Sequence, residues 1–353
     1  MGKKEEVYEI SRIVYEKMGD SLSKETYAKR MLYNLTGDEK YLNELIMCNE
    51  VIQKIINWVE ETRDKKHIIY GAGDWGTKIA TLLKQIKWDY FIDKKKAGEI
   101  INGIKVISFD EIQDLKEDVA ILISMQKEFE EIENCLLDIG IGGRKVLTLA
   151  RIMKEMKQPY FEDFLPHSDN EVFVDAGVYD GGTTLDFIKW SKNYKKIYMF
   201  EPSMDYYNRF FENVKYVENC DWIKKGLWSY DDVLKFYEGL DHDLGMGEKL
   251  SGINSKYKYS EGKWIDVPVT SLDRTVNHKV TFIKMDIEGS EMEALKGCEN
   301  IIRKYRPKLA ICLYHKLEDP WEIPRIILEY NPEYKIYVRH YSFDMLDTVL
   351  YAF

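Results

Sequence analysis

Apolar positions recur at helical spacing through the opening stretch, as in Leu42, Leu45, Ile46, Val51, Ile52, Ile55, Ile56 and Val59. Residues 1–65 therefore predict a helical lead-in, and its apolar faces require a surface to cover them, which makes an oligomerisation or docking module one reading of it. At His67 the rhythm changes. The run Ile68-Ile69-Tyr70 leads into Gly71-Ala72-Gly73-Asp74-Trp75-Gly76, then a helical stretch, then Tyr90-Phe91-Ile92-Asp93. A short strand at Lys105–Ile107, a buried strand at Val119–Ile123 and another near Val146 complete a small Rossmann-like α/β domain over residues 66–150. Polar, irregular residues 151–170 read as a linker. Beyond them a second series of apolar strands and short helices fills 171–353, with strands expected at Val172–Asp175, Ile197–Glu201, Trp222–Ile223, Val233–Tyr237, Ile265–Val267, Thr281–Asp286, Leu309–Leu313, Lys335–Val338 and Thr348–Tyr351. Alternating strands and helices predict a parallel sheet covered on both faces. The last two strands, joined by about nine residues, must run antiparallel.

Composition narrows the class without naming it. Of 353 residues, 45% are hydrophobic and 32% charged, which suits a globular chain and neither a disordered nor a fibrous one. The formal net charge of −10 has no basic arm to offset it, so nucleic acid is not an expected partner. Cys48, Cys135, Cys220, Cys298 and Cys312 are odd in number and scattered, which argues against a disulfide framework or a cysteine zinc site. No apolar run reaches the roughly 18 residues of a membrane span, and a cytoplasmic setting is expected.

The chemistry concentrates in the second series. Val174-Asp175-Ala176-Gly177-Val178-Tyr179-Asp180-Gly181-Gly182 follows a strand and opens a helix, and Glu201 ends the next strand. Glycines let a backbone turn tightly against a ligand, and an acidic residue at that strand end accepts hydrogen bonds from ribose hydroxyls in doubly wound sheets. Lys284-Met285-Asp286-Ile287-Glu288-Gly289-Ser290-Glu291 places further carboxylates at the end of a central strand. His315 and His340 follow the next two strands and, with Asp286, are candidates for a catalytic base. No HxH or HExxH spacing occurs among them, and no metal is assigned.

On VDAGVYDGGTT at 174–184, FEPS at 200–203, VPVTSLD at 267–273, FIKMDIEGSEMEALKG at 282–297 and RPKLAICLYHK at 306–316, the chain resembles the FkbM family of S-adenosylmethionine-dependent methyltransferases. The resemblance implies a class I, Rossmann-like methyltransferase sheet with an antiparallel last strand, and a cofactor, S-adenosylmethionine, held by Asp175, Gly177, Asp180, Gly181, Glu201 and Asp286. It further implies O-methylation of a hydroxyl on a sugar, glycan or related natural product. The interval Trp228–Trp264, rich in Tyr, Phe and Gly, departs from the strand rhythm and is expected to form a lid or a plain hairpin.

A rival reading starts from the first series. Gly71, Gly73 and Gly76 satisfy GxGxxG, with Asp93 twenty residues beyond Gly73, as in a dinucleotide fingerprint. This points to a nicotinamide-dependent oxidoreductase, a nucleotide-sugar-binding or docking domain, or a turn that serves packing alone.

Overall fold

Helices α1 (Lys3–Glu16), α2 (Ser21–Thr36) and α3 (Glu39–Ile46) open the chain of the computed structural model, which describes residues 3–115, 118–155, 159–239 and 262–353. They do not form a free-standing lead-in. The chain divides into two compact units, one of Met1–Ile46 with Gln158–Phe353 and the other of Met47–Lys157. The expected lead-in over 1–65 is thus split between the two units.

The unit Met47–Lys157 begins with α4 (Glu50–Glu61), capped by the Asn49 side chain, whose oxygen accepts the Val51 N–H at 2.8 Å. There follow β1 (Lys66–Tyr70), α5 (Asp74–Leu82), β2 (Trp88–Ile92), β3 (Ile100–Ile101), β4 (Ile104–Ile107), β5 (Val119–Ile123), α6 (Phe129–Asp138), β6 (Val146–Thr148) and α7 (Leu149–Glu155). Six strands align in the order β3-β4-β2-β1-β5-β6, parallel except for β3. Every residue of β5 is buried, which is why its sequence is an unbroken apolar run.

The remaining elements belong to the other unit: β7 (Glu171–Ala176), α8 (Gly182–Trp190), β8 (Tyr194–Phe200), α9 (Met204–Val214), β9 (Cys220–Ile223), β10 (Gly226–Leu227), β11 (Asp232–Gly239), β12 (Gly262–Thr270) and α10 (Leu272–Thr275). Then come β13 (Phe282–Met285), α11 (Glu291–Lys296), α12 (Glu299–Tyr305), β14 (Lys308–Cys312), α13 (Asp319–Tyr330), β15 (Ile336–His340) and β16 (Thr348–Ala352). Seven strands order as β15-β16-β14-β13-β7-β8-β9, with β16 antiparallel to both neighbours. Strand β7 shows the period of two: Val172, Val174 and Ala176 enter one core, and Phe173 enters the other. Burial on both faces accounts for the apolar runs of the central strands. In the expected lid region, β11 and β12 form an antiparallel hairpin, which extends a small sheet with β10. Gly245, Gly247, Gly252, Tyr257 and Tyr259 lie outside the described residues.

Val14, Met18, Tyr27 and Met31 of the first helices bury in the same core as β7 and β13. The Gly19 N–H donates to the Ile336 carbonyl at 2.9 Å, and the Ile336 N–H donates to the Lys17 carbonyl at 3.1 Å, so this segment covers the exposed edge of β15. The apolar faces of α1 and α2 therefore find a covering surface within the chain. The stretch expected as a linker also packs: Tyr160, Phe161 and Leu165 are buried against Phe173 and Phe187. Among the described residues, no helix is long and apolar enough to cross a membrane.

Candidate active site

Two neighbouring central strands, β7 and β13, bring their carboxyl ends together. Their paired residues Asp175 and Lys284 form a buried ion pair, 3.2 Å between Oδ1 and Nζ. The Thr184 hydroxyl donates to Asp175 Oδ2 at 2.7 Å, while Lys284 Nζ donates to the carbonyls of Ala176 at 3.1 Å and Gly177 at 2.6 Å. Asp175 has no exposed surface. Expected among the cofactor residues, its carboxylate here ties the turn to the next strand and the following helix from inside.

The turn itself requires glycine at two places. Gly177 has φ +80°, and a Cβ there would lie 1.9 Å from the Asp286 carbonyl oxygen. Gly181 has φ +82° and abuts Val214. Asp180 is exposed, and its Oδ1 accepts the Gly182 N–H at 2.9 Å, a local turn contact. Glu201 follows β8 directly, and its carboxylate accepts the N–H groups of Ser203 at 2.9 Å and Tyr179 at 3.4 Å. The expected pairing of the glycine turn with the next strand end is thus present through Glu201 and Tyr179.

Asp286 follows β13, and its side chain keeps 24% of its surface exposed. Tyr160 donates a hydrogen bond to Oδ2 and Tyr314 donates one to Oδ1, each at 2.8 Å. Burial pushes this carboxyl upward, but the charges of His315 and Lys284 and the two phenol hydrogen bonds outweigh it and hold the pKa below the usual carboxylate value. Tyr160 comes from the stretch expected as a linker. It has φ +83°, its ring lies under Lys284 Nζ at 5.2 Å, and its N–H donates to the Tyr351 hydroxyl at 2.9 Å. Pro159-Tyr160-Phe161 offered one signal in the sequence, an aromatic pair in otherwise polar surroundings. Its partner 126 residues away gave none.

His315 is 1% exposed and sits among carboxylates: Nδ1 lies 2.9 Å from Glu291 Oε1, and Nε2 lies 3.4 Å from Asp286 Oδ1 and 3.8 Å from Glu288 Oε2. Burial opposes its charge, but Glu291, Glu288 and Asp286 overcome that and raise the pKa to about 10. His315 thus stands in a carboxylate cluster beside Asp286, and those carboxylates favour its protonated form. His340 lies elsewhere. Its Nδ1 is 2.9 Å from the Thr348 hydroxyl across the β15–β16 ladder, and Thr348 also accepts from the buried Arg30 of α2 at 3.3 Å. Burial and the Arg30 charge lower its pKa to about 3. The structure groups His340 with Arg30 and Thr348 rather than in direct contact with Asp286.

In the unit Met47–Lys157, the GxGxxG turn is largely satisfied by its own chain. Asp93 Oδ2 accepts the Ala72 N–H at 3.1 Å, and Lys96 Nζ donates to the Ala72 carbonyl at 2.7 Å. A Cβ at Gly76 would lie 2.0 Å from the Gly71 carbonyl oxygen, whereas one at Gly73 would meet nothing within 4 Å. Asp93, which a dinucleotide site would reserve for ribose, is already engaged in holding the turn.

A parallel sheet of this strand order, with one reversed strand and a glycine turn beside an acidic strand end, defines a class I methyltransferase domain. Residues 175–347 match the Methyltransferase FkbM domain, so this part of the chain is a methyltransferase domain of that kind, with S-adenosylmethionine as its cofactor. Residues 63–147 match a domain described as C2185-like, N-terminal. Among solved structures, the methyltransferase FkbM of Methylobacillus flagellatus KT is similar at 20% identity over 85% of this chain and 93% of its own, with a TM-score of 0.45. Fibrillarin of Aeropyrum pernix with natively bound S-adenosyl-L-methionine is similar at 13% identity over 54% of this chain and 69% of its own, TM-score 0.33. An rRNA methylase of Streptococcus thermophilus is similar at 15% identity over 53% and 87%, TM-score 0.31. No curated protein matches the chain.

Proposed function

We propose that the chain methylates a hydroxyl group of a sugar, glycan or related natural product, with Asp286 as the residue that orients the hydroxyl and takes its proton. The observation that carries this reading is the Asp286 carboxylate. It is partly exposed at a central strand end, fixed by two phenols, and backed directly by the glycine turn. When bound, S-adenosylmethionine supplies a methyl group on a sulfonium, which leaves as a neutral thioether. The donor set fits that cofactor: Glu201 offers carboxylate oxygens to ribose hydroxyls, and the Gly177–Gly181 backbone closes on the same strand ends. Asp180, through its turn, and Asp175, through Lys284, hold this backbone in place. Because methyl transfer is an in-line displacement, the protein's main task is to hold the acceptor oxygen in place and accept its proton. A carboxylate locked by Tyr160 and Tyr314 meets both needs.

A hydroxyl acceptor without a polyanionic backbone agrees with a net charge of −10, and a cytoplasmic setting agrees with five free cysteines. The small unit's turn serves its own packing rather than redox chemistry.

The reading is tested with the full chain and S-adenosylmethionine carrying a labelled methyl group, offered to a panel of sugars, oligosaccharides and hydroxylated natural products. Label recovered as a methyl ether, lost in Asp286→Asn while cofactor affinity stays nearly unchanged, is the expected result. Label recovered only on amines, carboxylates or RNA would overturn it.

A further inference from the structure

We propose that Asp286, Glu291 and His315 form a binding site for a divalent cation of the Mn²⁺ or Zn²⁺ type, with Glu288 at its mouth. One donor atom from each of the three residues lies within 4.8 Å of the other two. Donors around a single ion bonded at ~2.1 Å stand about 3.0 to 4.2 Å apart, so closing on an ion requires shifts of less than about an ångström. Asp286 and Glu288 have the freedom to make them, with side chains 24% and 35% exposed.

A cluster of carboxylates alone would carry no such inference. Here a buried atom lacks a partner: Glu291 Oε2 has no hydrogen bond among the described residues, although the side chain is only 1% exposed and its other oxygen is already held, 2.9 Å from His315 Nδ1. Buried polar atoms in native proteins are nearly always paired, so an orphaned carboxylate oxygen in this cluster points to an atom that belongs with it. The backbone is specialised at the same spot. Glu288 has φ +57° and Gly289 φ +89°, and this turn delivers Glu291 to Nδ1 of the imidazole and Asp286 and Glu288 to its Nε2. Asp319, 1% exposed, adds a further carboxylate beside Glu291, and the cations around the cluster are the His315 ring, Lys284 next to Asp286 and Lys316 next to Asp319.

Two carboxylates and an imidazole form a mixed oxygen and nitrogen set, which suits Mn²⁺ or Zn²⁺ better than the all-oxygen preference of Mg²⁺. The role rests on the reading of Asp286 given above. An ion with open positions beside Asp286 would bind the acceptor hydroxyl and lower its proton affinity, so that the carboxylate need take up a less tightly held proton.

The test uses full-length protein stripped with chelator, with no cofactor or acceptor present, titrated with MnCl₂ and separately with ZnCl₂ in a calorimeter. One saturable site per chain is expected, weakened at least about 10- to 100-fold in Asp286→Asn and in Glu291→Gln. Paramagnetic broadening of the His315 ring resonances by Mn²⁺ gives the same answer in the unsubstituted chain if a variant does not fold. Absence of saturable binding of either ion, or no broadening at His315, would overturn the site and leave His315 and the neighbouring lysines as the counter-charge. Binding that persists unchanged in both variants would place the ion elsewhere and overturn it too. Affinity for S-adenosylmethionine, measured on the same stripped protein, shows separately whether the methyltransferase reading stands.

Discussion

A side chain at Gly177 would bring its Cβ to 1.9 Å from the carbonyl oxygen of Asp286, so these residues can meet only as backbone against backbone. The contact joins the turn after β7 to the end of β13. It makes the glycine turn and the candidate base one structural element.

Gly177→Ala should therefore damage both at once. Overpacking costs about 1–3 kcal/mol, and a non-glycine residue at a left-handed φ adds roughly 1 kcal/mol. The expected outcome is a melting temperature lower by several degrees, with S-adenosylmethionine affinity reduced well beyond what Asp286→Asn causes. Thermal melts and calorimetry on the two variants check this, and an alanine variant with unchanged affinity would contradict it.

Glu201 is predicted to act on the cofactor alone. Hydrogen bonds to a charged group are worth about 1.5–3 kcal/mol, or roughly a 10- to 100-fold change in affinity. Glu201→Ala should show a loss of that size, and Glu201→Gln, which keeps one acceptor oxygen for Ser203 or Tyr179, a smaller one. Equal losses would mean that the carboxylate only organises the loop.

Tyr160→Phe removes one of the two phenol hydrogen bonds to Asp286 and leaves the ring under Lys284. Turnover should fall about tenfold or more, on the scale of a hydrogen bond to a charged group. Cofactor affinity should hold. Tyr160→Phe combined with Tyr314→Phe should cost more than either single change, because both phenols fix one carboxylate.

Tyr160 also marks where sequence reading stops. Asp286 and Glu201 are legible as candidates because both stand at the ends of apolar strands, the place where ligands approach doubly wound sheets. The seven-stranded sheet was legible for the same reason, since strands buried on both faces declare themselves as apolar runs. Tyr160 has no periodicity to betray it, and its meaning comes from a hydroxyl reaching Asp286 across the fold. His315 shows the complementary case. Its position after β14 is foreseeable, but the carboxylates packed around it are a tertiary fact. His340 is set by register, since its ladder partner Thr348 draws the ring into the Arg30 group.

The docking of α2 on the sheet edge makes a pH-dependent prediction. Asp20 caps α2 by accepting the Ser23 N–H at 2.7 Å and pairs with Arg339 at 2.6 Å. Burial alone would raise its carboxyl pKa, but hydrogen bonds from Arg339 and Ser23 lower it below the ordinary value. A depressed folded-state pKa adds stability above the unfolded value of about 3.9, and that stability is lost as the pH falls through the folded value. The pair is partly exposed and screened, so the cap is the safer measure of its worth, about 1 kcal/mol. Asp20→Ala should lose that much in denaturant titrations at pH 7. At a pH below the folded value, the variant and the parent chain should differ far less.

The small unit makes the last prediction, because its glycines separate packing from ligand binding. Gly76 touches the Gly71 carbonyl so closely that an alanine would need the turn to move, while Gly73 faces open space and an alanine there meets nothing. Gly76→Ala should therefore lower the unfolding temperature of the unit Met47–Lys157 by an amount in keeping with an overpacking cost of about 1–3 kcal/mol. Gly73→Ala should leave it within roughly 0.5 kcal/mol of the parent. If the turn exists for packing, neither NAD nor NADP should bind saturably to the full chain, because the Asp93 carboxylate holds the turn through the Ala72 and Lys95 N–H groups. Micromolar nicotinamide binding that disappears in Gly73→Ala would instead show that the open face at Gly73 is where a dinucleotide approaches, and would restore the oxidoreductase reading for this unit.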